Sequence, residues 1–583
     1  MVAAMKHESF YRTSSFVDEK LGVYVGSVEP EGSFAEKMPV TNGDVTLMFS
    51  GEDFPEPGTA QRLKERDHRV EAKGASYLVH LYEEEADFPA QRNGRFHGLA
   101  VDKRSGTATL FNDRYGMHRI YYHEGKDTFY FAAEAKAILA VVPGARQVNT
   151  RSLGELVSCG CVLGNRTIFE GIQVLPAGSA WSFQGSASPA KTSYFQPSDW
   201  EQQEELDLET YYQKLRETFA RVLPRYFNGS QPIGLSLTGG LDTRMITAWM
   251  KPSPGSMPCY SFGGMYRDCE DVVVARKVAK AWGQTYQVIP VDGEFLSQFP
   301  RYAERAVYLT DGCTAVNRAV DLYANEKVRE IAPVRMTGNY GGEVLRRVVA
   351  FKPVEPAPEL FRPEFAAQIE ATRETYGELR KVHPLSFAVF RQAPWHHYGL
   401  LALEQTQVNL RSPFLDNEFV RLVFRAPQSA LANNDISLRL IADGSAALYR
   451  IATDRGYAGT NGPALAAAIQ AWIEFTVKAE YAYDYGMPQW VARTDRALAA
   501  LHLERLFLGR HKFAHYRIWY RDQLANYVRE MLLDPKALAR PYLNRTAVEE
   551  IVSGHLRGVR NYTTEIHTLL TLELVHRQFI DSQ

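Results

Sequence analysis

Residues 233–250 read IGLSLTGGLDTRMITAWM, and this stretch decides the fold. IGLSL (233–237) is an apolar run of strand length, LTGGLDTR (237–244) carries two adjacent glycines, and LDTRMITAWM (241–250) spaces its apolar residues as a helix does. A strand that turns through Gly-Gly straight into a helix is a building unit of a parallel sheet covered by helices. Gly239 and Gly240 carry no Cβ, so the backbone can come close to an anion, and the helix N-terminus adds free N–H groups. Thr238 and Thr243 supply hydroxyls, and Asp242 is an oxygen ligand suited to a divalent cation bridging phosphates. The loop lacks the Lys of a Walker A motif and is not GxGxxG. On these residues alone, a phosphate site and a plain strand–turn–helix connection with Asp as a cap both remain open.

The pattern extends in both directions. A helical stretch (208–226) precedes the strand. Strand PCYSF (258–262), helix DVVVARKVAKAW (271–282), strand TYQVIPV (285–291), another helix and strand PVRMTG (333–338) follow it. Strands alternating with helices predict a parallel sheet with helices on both faces. From about 355 onward the text is nearly all helical, and 465–583 forms a mixed-charge helical tail. Residues 1 to about 200 read instead as β-rich. LGVYVGSV (21–28), GDVTLMFS (43–50), FHGLAVDK (96–103), TATLFND (107–113), RIYYHE (119–124) and TFYFAAE (128–134) are short runs broken by turn residues such as Ser105-Gly106. The Ser-, Pro-, Gln- and acid-rich segment 182–207 reads as the linker that closes this part.

The chain's 583 residues exceed one compact core, and its 45% apolar and 23% charged residues are those of an ordinary globular protein. A net charge of −2 argues against wholesale nucleic-acid or membrane binding, and no apolar run approaches the ~18 residues that span a bilayer. The opening MVAAMKHESFYR has no apolar signal core, so a cytoplasmic location is expected. Five scattered cysteines form no CxxC pair and are expected to be reduced and mostly buried. Trp395-His396-His397 and the pair His511/His515 lack the carboxylate of an HExxH set, so they read as satisfied core or surface residues rather than a metal site.

TGGLDTR (238–244) resembles the SGGLDS pyrophosphatase loop of the asparagine synthetase family, whose relatives include β-lactam synthetases and lasso-peptide cyclases. Three stretches in the right order strengthen the resemblance. RSPFLDNEFVRLVFRAP (411–427) resembles the family's VPFLD segment, DVVVARKVAKAWG (271–283) its second helix, and MTGNYGGEVLR (336–346) its LSGEGSDELFGG loop. In the first part, NGRFHGLAVD (93–102), FNDRYGMHRIYY (111–122) and FAAEAKAIL (131–139) resemble the family's glutaminase domain.

The resemblance implies an α/β chain: an N-terminal Ntn-hydrolase-like αββα sandwich (1–205), a parallel-sheet adenine-nucleotide α-hydrolase-like (PP-loop) synthetase domain (206–465) and a helical extension (466–583). It implies ATP and Mg²⁺ as cofactors. Ser236, Thr238, Gly239, Gly240, Thr243, Ser261, Asp271, Thr337 and Gly338 would then hold the nucleotide, with Asp271 against the nucleoside. Asp242 and Glu343 would hold metal, and Arg455 (or Arg450) would take the place of the family's pyrophosphate-binding Lys. The departures are as specific. Gly342 stands where the loop's second metal acid belongs, and Asn339 replaces the preceding Glu. Val2 stands where a working glutaminase has its nucleophilic Cys, Ser50-Gly51-Glu52 replaces Asn-Gly-Glu, and Ser76 or Tyr77 replaces the acid that holds the substrate's amino group. The expectation is an AMP-forming ligase that adenylates a carboxylate, aspartate or another acid, for attack by ammonia or an amine, without glutaminase activity of its own. Its partners are expected to be small molecules only, with room left for a homodimer. The rival expectation is a non-catalytic nucleotide-binding or scaffold protein that keeps the fold.

Overall fold

The structure, a computed structural model, describes residues 1–70, 74–357, 359–459, 462–497 and 503–581. The predicted helical tail therefore crosses residues 498–502, which lie outside the described residues. Strands β1 (Tyr11–Asp18) and β2 (Val23–Pro30) form an antiparallel hairpin. β3 (Val40–Asn42), β4 (Val45–Asp53), β5 (Gly94–Asp102) and β6 (Thr107–Asn112) lie antiparallel side by side. β7 (Tyr121–Glu124), β8 (Phe129–Ala132) and β9 (Gln173–Val174) make a separate sheet. β10 (Ser179–Phe183) and β11 (Ala190–Ser193) extend the first one to six strands in the order β11-β10-β6-β5-β4-β3.

Side chains alternate across a strand, so β4 can serve two cores. Val45, Leu47 and Phe49 pack with Tyr77, Leu78 and Leu81 of the helix Tyr77–Glu84 on one face. Met48 joins Leu99, Leu110 and Trp181 on the other, against Tyr122 of the smaller sheet and Ile120 just before it. Tyr121 and Val174 in turn meet Ile138 and Leu153 from the helices Ala135–Leu139 and Thr150–Cys159. Helix, sheet, sheet, helix is the αββα sandwich the resemblance implied. The predicted linker, in contrast, holds β11. That strand, AKTS, is exposed at all four positions and is held by backbone pairing (Ser179 opposite Ser193) and by polar side chains such as Thr192 on Ala180 O and Lys191 on Glu124, so no apolar alternation announces it.

The second part is built on five parallel strands: β12 (Ile233–Ser236), β13 (Cys259–Gly264), β14 (Tyr286–Val291), β15 (Val334–Met336) and β16 (Asn409–Arg411). Their order is β14-β13-β12-β15-β16. The predicted strands are all present. β16 was not foreseen, because three residues inside a stretch that otherwise reads as helix carry no period. Leu235, Met245, Ile246, Val278, Met336 and Phe414 share one core with the flanking helices. The tail is no appendage. Trp519, Tyr520, Leu570 and Leu574 are buried in the same cluster as Ile138 and Leu153 of the sandwich and Phe295, Phe299 and Tyr323 of the middle helices. No helix among the described residues is long and apolar enough to cross a membrane. All five cysteines are free thiols, four of them buried.

Candidate functional site

From β12 the chain moves to β13 and β14 on one side, then returns to β15 and β16 on the other. At such a switch point the loops after the two central strands diverge and leave a crevice at the carboxyl ends. Here those loops are 237–241 and 337–340. The residues picked from sequence therefore converge, although they are about 100 positions apart.

The first loop is held from below. Gly239 N–H donates to Asp271 Oδ1 at 2.8 Å, Gly240 N–H donates to Thr238 Oγ1 at 3.3 Å, and the Thr238 and Thr243 hydroxyls lie 3.1 Å apart. Thr238 is exposed at the mouth. Ser261 donates to Leu237 O at 2.5 Å and Ser236 accepts from Arg335 Nη2 at 3.1 Å, so both serines are engaged beneath the loop rather than in the crevice. Arg244 is buried and grips the carbonyls of Gly239, at 3.1 Å, and of Ile451. Asp454 N–H also reaches Gly239 O, at 3.1 Å. These bonds draw the 451–455 segment against the loop. Arg455 comes with it, its Nε 3.6 Å from Asp454 Oδ2, and both it and Arg450 are exposed. Burial, with Asp271 adding repulsion, pushes the Asp454 carboxyl up to about 6. Burial raises Asp271 as well, against the opposing pull of Gly239 N–H and Arg455.

The second loop leans directly on Asp242. A Cβ on Gly338 would stand 2.8 Å from the Asp242 Cβ, and one on Gly341 would stand 2.6 Å from its Cγ, so only glycine permits this approach. Thr337 donates its hydroxyl to Asn339 Oδ1 at 2.9 Å, and Tyr340 takes a left-handed conformation with φ 72°. Asp242 opens the helix Asp242–Trp249, and both of its oxygens accept from Arg346 Nη2, at 2.8 and 2.9 Å. Burial raises its carboxyl and Arg346 opposes the rise. Glu343 Oε1 lies instead 2.9 Å from His397 Nε2. Burial pushes Glu343 up, but His397 outweighs it and holds the carboxyl below the usual range. Asp242 and Glu343 thus each have a basic partner, and among the described residues neither joins a cluster of His, Cys, Asp or Glu able to hold a metal. Of the other histidines set aside in the sequence, His396 stacks on Phe351 with its buried Nδ1 lacking a hydrogen-bond partner, whereas His511 and His515 are engaged. His511 Nε2 is 2.9 Å from Thr476 Oγ1, and His515 lies buried between Asp484 and Glu480.

Arg346 and Asp454 were not picked from the sequence, and His397 was named there only to be set aside. Arg346 ends the quoted MTGNYGGEVLR stretch and Asp454 precedes Arg455, so each sat beside a selected residue, but only the folded loops reveal their partners.

The sandwich half meets this site edge-on. Arg411, the last residue of β16, donates Nε to both Glu52 oxygens at 3.0 Å and Nη2 to Oε1 at 2.6 Å. Asn93 donates Nδ2 to Asp416 Oδ2 at 2.8 Å, and Asn417 N–H donates to Asn93 Oδ1 at 3.0 Å. Tyr77 donates its hydroxyl to Asp53 Oδ2 at 2.7 Å. A cavity of about 890 Å³ is bounded by Cys159, Asn317, His396, Tyr485, Asn561 and Glu565 from the sandwich, the middle helices and the tail, His396 being the chain neighbour of the His397 that meets Glu343. Burial raises the Glu565 carboxyl and lowers the His396 imidazole to about 4.

Comparisons with known proteins agree with this architecture. Residues 28–195 match the model of a glutamine amidotransferase domain. Asparagine synthetase [glutamine-hydrolyzing] 1 of Bacillus subtilis (strain 168) is 23% identical over 336 residues, covering 55% of this chain and 51% of the relative. Asparagine synthetase [glutamine-hydrolyzing] 2 of the same organism is 27% identical over 223 residues, covering 35% and 29%. The chain thus spans about half, or less, of the length of these curated relatives. Among solved structures, glutamine phosphoribosylpyrophosphate amidotransferase from B. subtilis, complexed with ADP and GMP, matches at 11% identity over 47% of this chain and 55% of that one, with a TM-score of 0.21, too slight a likeness to argue from. The matched amidotransferase domain and the similarity to curated asparagine synthetases together support an asparagine synthetase-like family for this chain.

Proposed function

We propose that the crevice binds ATP and that the chain is an AMP-forming ligase, which adenylates a carboxylic acid for attack by ammonia or an amine. One observation carries the reading: loop 237–241 sits at the switch point of the parallel sheet, with Asp271 and Arg455 gathered at its mouth. In that reading a carboxylate oxygen bonds to the α-phosphorus as the bridge to the β-phosphate breaks and pyrophosphate leaves. The nitrogen nucleophile then displaces AMP from the acyl carbon and gives up a proton. Exposed Thr238 orients the phosphates over the close-approaching glycines, and Arg455 offsets charge on the departing pyrophosphate. The cavity beside His396 is the place for the acid and the amine, with Glu565 able to accept the proton the amine sheds.

The donor set does not fit magnesium as it stands, because Arg346 takes both Asp242 oxygens and His397 takes Glu343. Glutamine hydrolysis is not part of the proposal. Glu52, in the segment the resemblance assigns to glutamine, is committed to Arg411 as a clasp between the two halves.

ATP–pyrophosphate exchange across a panel of carboxylic acids tests the reading. Exchange with at least one acid, reduced about 100-fold in Asp271→Asn or Arg455→Ala, is the expected result. Absence of both exchange and any ATP-dependent thermal shift would sink it. The Asp242–Arg346 pair favours a second reading, a nucleotide-binding protein without catalysis, which predicts a thermal shift with ATP but no exchange.

A further inference from the structure

Far from the crevice in sequence, on the outer helix of the sandwich, two histidines meet in a way that ordinary packing does not explain. His68 follows the turn after the helix Thr59–Glu65, and His80 lies in the helix Tyr77–Glu84. Their Nδ1 atoms are 3.2 Å apart. His80 Nε2 lies 3.2 Å from the Arg69 carbonyl, which can only accept, so this nitrogen carries the hydrogen. His68 Nε2 lies 2.8 Å from Glu84 Oε1, and an ionised carboxylate likewise only accepts. Both neutral rings are therefore fixed in the tautomer whose Nδ1 bears a bare lone pair. Two lone pairs facing each other at this distance repel unless a positive species lies between them. Glu83, one helical turn beyond His80, brings Oε2 to 3.9 Å from His80 Nδ1, and Asn42 Nδ2 holds that oxygen at 2.5 Å. The three donor atoms all lie within 4.8 Å of one another, and His80 is buried while His68 and Glu83 are partly so.

We propose that His68, His80 and Glu83 form a binding site for a zinc-like divalent transition-metal ion. Two nitrogens and a carboxylate oxygen are a borderline-soft donor set that suits zinc and its neighbours rather than magnesium or calcium. For metal–nitrogen bonds of about 2.0–2.1 Å in a tetrahedron, the two nitrogens stand roughly 3.3–3.4 Å apart, close to the separation seen. The outer partners follow the pattern of metal-ligating histidines, each donating its other N–H to a carboxylate or a backbone carbonyl. Three protein ligands leave one position for water. The ion ties the bend at His68 to the outer helix, where Ala75, Tyr77 and Leu78 cover the sandwich core.

The test uses the full chain, free of any affinity tag and stripped of metal with a chelator. Zinc binding is followed by calorimetry and the cobalt-substituted protein by its visible d–d bands. The wild type is expected to bind one equivalent with micromolar or tighter Kd, show tetrahedral cobalt bands, and gain thermal stability with zinc. His68→Gln and Glu83→Gln should each weaken binding at least tenfold and abolish the zinc-dependent rise in Tm. Glu84→Gln, which changes only an outer partner, should weaken it 10- to 100-fold. His80→Gln removes a buried ring, so its circular dichroism is compared first, and the two surface-side variants keep the test decisive if it misfolds. No zinc binding by the wild type, or equal binding by wild type, His68→Gln and Glu83→Gln, overturns the proposal and leaves a proton shared between the rings.

Discussion

Asp454 and Asp271 stand together at the Thr238–Gly240 loop, and the burial that gathers them also sets their proton affinity. In the unfolded chain an Asp titrates near 3.9, and in the fold Asp454 titrates at about 6. Between those values the folded state holds the proton more tightly. The stability this contributes is fully present below about pH 4, falls as pH rises, and is gone above about pH 6. Asp454→Asn removes the penalty, so its stability relative to wild type should increase between pH 4 and pH 7 by up to ~3 kcal/mol. Urea unfolding at both pH values checks this. ATP binding by wild type should also weaken more steeply than that of the variant as pH rises through 6, the nucleotide's own titration cancelling in the comparison. A second residue-scale expectation concerns Arg346. Arg346→Gln leaves a mostly buried Asp242 without its cation and should lower stability by about 1–3 kcal/mol. Asp242→Asn/Arg346→Gln should recover part of the loss, measured as a double-mutant cycle.

At the scale of elements, the two glycines under Asp242 and the clasp at Glu52 decide how the loops and halves fit. Gly341→Ala places a methyl 2.6 Å from the Asp242 Cγ, so we expect a loss of about 1–3 kcal/mol and a loss of the ATP-dependent thermal shift. Glu52→Gln leaves buried Arg411 without a countercharge and should cost about 2–3 kcal/mol in urea unfolding. How far the sequence revealed these elements follows from their physics. β12, β13 and β14 were legible because buried parallel strands are short apolar runs next to amphipathic helices. β11 was not, since its four exposed polar residues carry no apolar alternation, nor was the three-residue β16. The loop at Thr238–Gly240 was legible because glycine pairs mark close backbone approach. Arg346 on Asp242, Asp454 beside Asp271 and His68 on His80 were not, because each is a meeting of segments whose distance in the chain carries no period. The serines show the opposite limit: Ser236 and Ser261 have the right type and position, but their hydroxyls are engaged beneath the loop.

At the scale of the whole molecule, the cluster containing Ile138, Phe299, Trp519 and Leu570 makes the sandwich, the middle helices and the tail a single cooperative body. Removing residues from 466 onward should leave a chain that expresses insolubly or shows molten-globule behaviour, with ANS binding and no cooperative thermal transition. A truncated chain that unfolds cooperatively would contradict this. The helix Thr563–Val575 sharpens the point, for ten of its thirteen residues are buried. Its seat is lined by residues such as Val316, whose N–H donates to Thr571 Oγ1 at 3.1 Å and which the ribosome makes roughly 250 residues earlier. At about 5–20 residues per second, the earlier surfaces wait some ~12–50 s for their cover. Throughout that interval the nascent chain displays apolar area with nothing to shield it, so its yield in a cell should depend on holdase chaperones more than on the stability of the finished fold.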